Sequence, residues 1–172
     1  TRLQEGKLAI ARQMEAPEEV IGGAVAHIMQ RSPGREITVS APDELIFVPM
    51  DAKLIEQVLI NLLDNAVKHT PPEGEIIVSV REDREAACAV FSVADRGCGI
   101  AAADLPHIFQ AFYTTRSKEA DAHRGIGLGL AICESIVAAH GGTIEARNRA
   151  DGQGAEFVFT LPMEVRDRAK QE

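Results

Sequence analysis

The sequence predicts an α/β fold, namely a two-layer α/β sandwich in which a mixed sheet carries helices on one face. Two observations support this prediction. Apolar residues recur at helical spacing near residues 17–29, 52–69 and 130–137, and short strand-like segments lie between and after them. With 172 residues, 45% of them hydrophobic and 26% charged, the chain is long enough for one substantial core. We therefore expect one main domain, at residues 16–163.

The amino-terminal region is expected to contain a linker, one helix and two short strands. Residues 1–15 are mixed and polar, and we interpret them as the end of an upstream helix plus a linker. Pro17 and the two acidic residues after it suit the first turn of a helix, which runs to about residue 29. Short strands are expected around residues 37–39 and 45–48.

The rest of the chain is expected to contain two helices, four strands and one long loop. Asp51 is the expected N-cap of the second helix, which Thr70 and the prolines after it end. Two strands follow at residues 75–81 and 87–94, and then a long irregular loop at residues 97–124. A third helix is expected at residues 130–137, a hairpin turn at residues 151–154 and a charged tail at residues 164–172. An irregular loop of that length is usually functional or mobile.

Composition excludes several classes of function. The net charge of −8 argues against a nucleic-acid-binding surface and against adhesion to an anionic membrane leaflet. The sequence shows no run of 18 apolar residues and no signal peptide. Its three cysteines have neither disulfide nor metal-ligand spacing, which favours a reducing, cytoplasmic environment.

Two glycine-rich segments predict a nucleotide site. In Asp95-Arg96-Gly97-Cys98-Gly99 a carboxylate at a strand end is a hydrogen-bond acceptor suited to the adenine amine, and the glycines allow the backbone to approach a base. In Gly125-Ile126-Gly127-Leu128-Gly129-Leu130 the glycines open a helix, whose free amides suit a phosphate. Each segment alone is weak evidence for a nucleotide site, since an ordinary turn between a strand and a helix can have the same sequence pattern.

A polar stripe along the second helix strengthens this prediction. Gln57, Asn61, Asn65 and Lys68 follow one another at steps of four, four and three residues, which places them along one face. A solvated face is the simpler alternative, but asparagine prefers caps and turns to helix interiors. Amide oxygens are ligands that Mg²⁺ accepts beside phosphate oxygens. Lys68 would meet the remaining phosphate charge.

With these motifs in order, the chain resembles the catalytic ATP-binding domain of sensor histidine kinases, within the ATPase superfamily shared with gyrase, Hsp90 and MutL (the Bergerat fold). The segments similar to the N, G1, F and G2 boxes are, in that order, residues 61–69, 95–99, 109–113 and 125–129. Residues 154–162 resemble the family's final strand. The segments 1–6 and 141–149 are most similar to Kdp-type potassium-responsive kinases, and residues 1–15 would then end a dimerisation helix.

The resemblance implies ATP and Mg²⁺ as cofactors and assigns residues to them. It places Mg²⁺ on Asn65 and the adenine amine on Asp95. The implied nucleotide-contacting residues are Asn61, Asn65, Lys68, His69, Asp95, Gly97, Gly99, Ile100, Phe112, Arg124, Gly125, Gly127, Leu128, Gly129 and Leu130. For Lys68 and His69, an exposed lysine and a helix-end histidine remain the alternatives.

The loop between the two glycine segments is implied to be an ATP lid. Phe109 and Phe112 would anchor its hinge by burying apolar area. Arg116, Lys118 and Arg124 would carry charge to the γ-phosphate, although for Lys118 a solvated charge is an equal alternative. Asn61, Asn65, Lys68 and Arg116 are the implied catalytic residues. Arg116 departs from the common pattern, in which a basic residue directly follows the aromatic pair.

The partners follow from what the sequence lacks. None of the five histidines is followed by an acidic residue, as the family's acceptor histidine usually is. We therefore expect a monomeric catalytic domain that acts on a separate dimerisation and phosphoacceptor domain, with a response regulator downstream and membrane attachment only through upstream segments. The alternatives are an ATPase of the Hsp90 or MutL kind, a silent nucleotide-binding interaction module, and an anti-sigma-type serine kinase. The first needs a glutamate where Asn61 stands.

Overall fold

The computed structural model describes residues 3–4, 7–113 and 129–164. The helices are α1 (Pro17–Arg31), α2 (Ala52–His69) and α3 (Gly129–Ala139). The strands are β1 (Leu3–Gln4), β2 (Lys7–Leu8), β3 (Gln13–Glu15), β4 (Ile37–Ser40), β5 (Val48–Met50), β6 (Ile76–Asp83), β7 (Cys88–Ala94), β8 (Ile144–Asn148) and β9 (Ala155–Pro162). One turn of 3-10 helix spans Leu105–His107.

A five-stranded sheet forms one layer of the domain. Its strand order is β4-β6-β7-β9-β8, with β4 parallel to β6 and the other pairs antiparallel, so the sheet is mixed as predicted. Strand pairing aligns Val80 with Phe91 and Phe91 with Phe159. The rings of Phe91 and Phe159 stack with centroids 4.7 Å apart, at the centre of the apolar core.

The two faces of the sheet differ in chemistry, because side chains alternate along each strand. The face that contains Val78, Phe91 and Phe159 belongs to the same buried core as the apolar sides of the three helices. The opposite face carries Ser79, Ser92 and other polar residues of the aligned strands. The helices therefore cover one face only, which confirms the predicted two-layer sandwich.

Local sequence signals set the ends of α2. The side chain of Asp51 accepts a hydrogen bond from the amide of Leu54 at 3.4 Å, as an N-cap does. At the other end, the guanidinium of Arg35 donates to the carbonyl oxygens of Val67, Thr70 and Pro71 at 2.7, 2.8 and 2.7 Å. These contacts satisfy carbonyl groups that the helix leaves without partners.

The amino-terminal region differs from the prediction. Residues 3–4, 7–8 and 13–15 form short strands, so the expectation of a helix end is wrong for these residues, while the linker stays a prediction. β3 pairs antiparallel with β5, a partner distant in sequence, and this pairing rather than local propensity determines its conformation. β5 begins at Val48, so the strand expected at 45–48 lies a few residues later. In the described part of the chain no helix combines the length and the apolarity that a membrane span requires.

Candidate functional site

The polar stripe on α2 reaches the beginning of α3. Asn61 accepts a hydrogen bond from Gln57 Nε2 at 2.8 Å, and its own amide donates to the carbonyl oxygen of Gly129 at 3.3 Å. One turn further on, Asn65 is half-buried and makes no side-chain hydrogen bond to any described residue. Its amide oxygen is therefore available to a ligand, and it has the chemistry that Mg²⁺ accepts.

Lys68 and His69 end the stripe. The ammonium of Lys68 lies 3.2 Å from Asp64 Oδ2, one turn earlier on the same helix, and both side chains are partly exposed. Exposed ion pairs of this kind contribute little to stability, so a phosphate could compete for the lysine. The carbonyl oxygen of His69 faces Gly97, which brings the end of α2 against the first glycine segment.

Asp95, the carboxylate of the predicted site, is buried, with 3% of its surface exposed. Its Oδ1 accepts two main-chain hydrogen bonds, from Gly97 at 2.9 Å and from Ala155 at 3.0 Å. Within the described residues nothing bonds its other oxygen, Oδ2. Two amides thus orient the carboxylate and leave one oxygen for a donor outside the protein.

The glycines around Asp95 occupy positions where a side chain does not fit. A Cβ on Gly97 would lie 2.1 Å from the carbonyl oxygen of His69. Gly99 has a φ of +77°, in the region that favours glycine, and its Cβ would lie 2.7 Å from Asn148 Oδ1. Contacts within the protein therefore favour glycine at both positions, and the approach of a base to them stays a prediction.

The hairpin between β8 and β9 forms the wall behind this segment. Asn148 makes two hydrogen bonds to the main chain of Ile100, and Arg149 donates to the carbonyl oxygen of Asp95 at 3.2 Å. Arg149 is also held by Asp151, which lies 3.0 Å away and whose pKa the guanidinium lowers. Sequence reasoning missed Asn148, Arg149 and Arg35, because each acts on residues distant in the chain and no local motif marks them.

The residues before the predicted lid divide into a packed and an exposed member. Phe109 packs edge-on against Phe157, with centroids 6.2 Å apart. Phe112 is 71% exposed and has a φ of +65°, so the expectation that it buries apolar area at the hinge is wrong. Tyr113 donates a hydrogen bond to Asp104, which fastens the end of this segment.

Part of the predicted site lies outside the described residues, namely Arg116, Lys118, Arg124, Gly125, Gly127 and Leu128. Gly129 and Leu130 are described and form the first turn of α3. Across the described residues there is no cluster of three or more His, Cys, Asp or Glu side chains placed to hold a metal ion. Cys133, beneath the polar stripe, donates to the carbonyl oxygen of Val58, and burial raises its pKa to about 12, so it is a neutral packing residue.

A family model described as histidine kinase-, DNA gyrase B- and HSP90-like ATPase matches residues 50–165. The chain belongs to this ATPase family. The match includes α2, the Asp95 segment, the start of α3 and the β8–β9 hairpin, so it covers all the predicted site residues.

Curated relatives of this ATPase domain include sensor proteins. Sensor protein KdpD of Clostridium acetobutylicum is 47% identical over 165 residues, which cover 96% of this chain and 18% of that protein. Sensor protein KdpD of Escherichia coli is 38% identical over 164 residues, which cover 95% and 18%. The resemblance to histidine-kinase ATPase domains, and to the Kdp-type members among them, is confirmed. The chain spans less than a fifth of the length of these relatives.

Solved structures share the fold of this ATPase domain. The mycobacterial sensor histidine kinase MprB superposes with a TM-score of 0.77 at 25% identity, covering 91% of this chain and 100% of that one. Full-length ShkA in complex with AMPPNP superposes with a TM-score of 0.78 at 29% identity, covering 92% of this chain and 32% of that one. The catalytic domain of the histidine kinase ThkA superposes with a TM-score of 0.74 at 26% identity, covering 90% of this chain and 98% of that one. These matches confirm the predicted fold class.

Proposed function

We propose that this chain is the ATP-binding catalytic domain of a two-component sensor histidine kinase. In this proposal it transfers the γ-phosphoryl group of ATP to a histidine on a separate dimerisation and phosphoacceptor domain. One observation carries the proposal: α2 contacts both glycine segments. Asn61 bonds the carbonyl oxygen of Gly129 near one end of the stripe, and the carbonyl oxygen of His69 faces Gly97 at the other. A nucleotide laid along α2 would span the two.

Asp95 is the proposed reader of the base. Its Oδ1 is occupied by two main-chain amides, so Oδ2 would accept the exocyclic amine of adenine. Guanine presents a carbonyl oxygen at the corresponding position. That oxygen and Asp95 Oδ2 are both hydrogen-bond acceptors, so guanine would bind poorly. The buried setting strengthens this discrimination, because an unpaired polar group is costly there.

The α2 stripe is the proposed phosphate side. Asn65 would hold Mg²⁺ through its amide oxygen, with Asn61 beside it and Lys68 near the phosphates. Bound Mg²⁺ neutralises charge on the phosphate oxygens and orients them. Asp95 and the α2 stripe would orient the nucleotide from its two ends. In the transfer the bond from the γ-phosphorus to the bridging oxygen breaks, a bond to the acceptor imidazole nitrogen forms, and ADP leaves.

Transfer to histidine fits this site better than hydrolysis. A dedicated ATPase needs a general base to activate water, and the position one turn before Asn65 is Asn61, an amide that cannot accept a proton at neutral pH. The Asn61 amide is moreover engaged by Gln57 and Gly129. The relatives named as sensor proteins and the solved structures named as histidine kinases support the same choice.

The biological setting is proposed from the relatives. We infer a Kdp-type sensor whose catalytic domain lies in the cytoplasm, attached to the membrane through other segments, with a response regulator as the final acceptor. Isolated, the domain is expected to be monomeric and to need a phosphoacceptor domain supplied separately. The net charge of −8 remains consistent with a protein that does not bind nucleic acid.

The proposal is tested by calorimetric titration with a non-hydrolysable ATP analogue, with and without Mg²⁺, and with the corresponding GTP analogue as control. Saturable binding of the adenine form alone is expected, and it should tighten with Mg²⁺. A phosphoacceptor domain and ATP labelled at the γ-phosphate then test the transfer. Equal binding of both analogues, or none of either, would contradict the proposed site.

A further inference from the structure

We propose that Asn148 is a positioning residue of the nucleotide site. Its side-chain amide holds the main chain of Ile100 and thereby sets the affinity for the adenosine part of the nucleotide. This inference rests on the proposed function, because it concerns the same pocket. It goes beyond that function in assigning a determinant of affinity to β8, outside all the segments that touch the nucleotide.

The contact between Asn148 and Ile100 uses both polar groups of each partner. Asn148 Oδ1 accepts from the Ile100 amide at 2.6 Å, and Asn148 Nδ2 donates to the Ile100 carbonyl oxygen at 2.8 Å. The side chain of Asn148 thus makes the two main-chain hydrogen bonds that a neighbouring strand would make, although Ile100 lies 48 positions away in the sequence. Among the described residues no other group bonds the main chain of Ile100.

The backbone is adapted to this approach. Gly99, next to Ile100, has a φ of +77°, and a Cβ there would come within 2.7 Å of Asn148 Oδ1. A larger residue at position 99 would push the amide away. The pair of hydrogen bonds and the glycine beside them therefore form one arrangement, which requires both residues.

Asn148 and its neighbour hold the two ends of the same segment. Arg149, whose side chain is only 8% exposed, donates to the carbonyl oxygen of Asp95 at 3.2 Å, where the segment begins. Asn148 holds Ile100, where it ends. Gly154, at the other side of the hairpin, lies so close to the Asp95 carbonyl that a Cβ would be 2.0 Å from it. The hairpin thus fixes the whole segment from Asp95 to Ile100.

The geometry predicts which part of the nucleotide depends on Asn148. Ile100 packs against the core with its side chain and directly follows the glycines that admit the base. The phosphate side lies on α2 and has its own supports at Asn61 and Gly129. Loss of the hydrogen bonds to Ile100 should therefore lower the affinities for adenosine, ADP and the ATP analogue by the same factor.

The main variant is Asn148→Asp, which keeps an acceptor for the Ile100 amide and places a second acceptor against the Ile100 carbonyl. Arg147→Gln is the matched control. It makes the same change in net charge on the adjacent residue, whose side chain pairs with Glu156 instead of the Asp95 segment. Asn148→Leu, a second variant, removes both hydrogen bonds without adding charge. Because Asn148 is exposed, all three proteins are expected to fold.

Three readouts are needed: the exchange rate of the Ile100 amide, the affinity for each of the three ligands, and the thermal midpoint. Both Asn148 variants should bind adenosine, ADP and the ATP analogue about three- to tenfold more weakly, the loss expected for one or two hydrogen bonds. Asn148→Leu should also speed exchange of the Ile100 amide on the order of tenfold. The control should leave all affinities unchanged. Adenosine carries no phosphate, so charge repulsion does not explain a loss there.

Three outcomes would overturn the inference, and they are distinguishable. If the unaltered protein binds adenine nucleotides and both Asn148 variants bind adenosine equally well, Asn148 has no positioning role and the proposed function stands. If the unaltered protein binds no adenine nucleotide, the proposed function fails and this inference fails with it. A loss confined to the ATP analogue also contradicts it, since that result would place the effect on the phosphate side.

Discussion

The imidazole of His140 accepts a hydrogen bond from the main-chain amide of Asp51, with 3.0 Å between Nε2 and the amide nitrogen. The other ring nitrogen, Nδ1, lies 2.8 Å from the carbonyl oxygen of Ile136 and therefore carries the proton. His140 is 1% exposed. A neutral histidine thus joins the end of α3 to the N-cap of α2, the helix that carries the polar stripe.

This contact predicts how stability depends on pH. Burial lowers the pKa of His140, Arg12 nearby lowers it further, and the contacts with Ile136 and Asp51 only partly offset this. The unfolded chain titrates near pH 6.5 and takes up a proton that the folded protein resists. The contribution is therefore fully present above about pH 6.5 and is lost as the pH falls below that value.

The measurement is thermal unfolding between pH 5 and 8 for the unaltered protein, His140→Gln and His27→Gln, in which an exposed histidine is the control. His140→Gln should be destabilised by about 1–3 kcal/mol at pH 7.5, the cost of disturbing two buried hydrogen bonds. Its stability should fall less between pH 7 and 5 than that of the other two proteins. Parallel curves for all three would show that His140 does not titrate in this range.

Arg35 is predicted to hold the carboxyl end of α2. Arg35→Met removes its three hydrogen bonds to carbonyl oxygens, because the methionine side chain has no donor. This change should lower the free energy of unfolding by about 1–3 kcal/mol. The control is Arg84→Met, because Arg84 is 77% exposed and pairs with Glu44 at the surface, a contact expected to contribute under about 1 kcal/mol. Urea denaturation compares the two variants, and equal losses would contradict the role of Arg35.

Local signals account for most of the fold. Asp51 and the prolines after Thr70 predicted the bounds of α2 within about one residue. The strands expected at residues 75–81 and 87–94 and the hairpin turn expected at residues 151–154 correspond to β6, β7 and the connection from β8 to β9. β3 was missed, because its conformation depends on pairing with β5 rather than on its own residues. The same limit applies to the site, since Asn148 acts on a residue 48 positions away and no local pattern indicates that contact.

Asp95→Asn should weaken binding of adenine nucleotides about tenfold or more with the fold intact. The amide oxygen can still accept from Gly97 and Ala155, but the NH₂ group would then face the adenine amine, donor against donor. Calorimetry with the ATP analogue measures the loss, and far-UV circular dichroism checks the fold. Asp43→Asn, on an exposed residue, controls for the change in charge. Unchanged affinity in Asp95→Asn would remove this carboxylate from the base pocket.

Asn65→Ala should remove the part of binding that depends on Mg²⁺. The side chain has no hydrogen-bond partner among the described residues, so its removal should cost little stability. Titration with and without Mg²⁺ separates the metal-dependent gain in affinity, which should fall on the order of tenfold. An equal loss in both conditions would mean that Asn65 contacts the nucleotide itself and does not act through the metal.

Two glycine-to-alanine changes should have opposite effects. At Gly97 the new Cβ would lie 2.1 Å from the carbonyl oxygen of His69, and since that atom belongs to the backbone, the Asp95 segment must move. We expect Gly97→Ala to lose about 1–3 kcal/mol of stability and to bind the ATP analogue more weakly. At Gly22, within α1, nothing lies within 4 Å of the new methyl group. Gly22→Ala should gain about 0.5–1 kcal/mol, because alanine favours the helix, and should bind as before. Thermal unfolding and calorimetry on both variants provide the comparison. If Gly97→Ala matched Gly22→Ala in both measurements, the close contact between Gly97 and the end of α2 would not exist in solution.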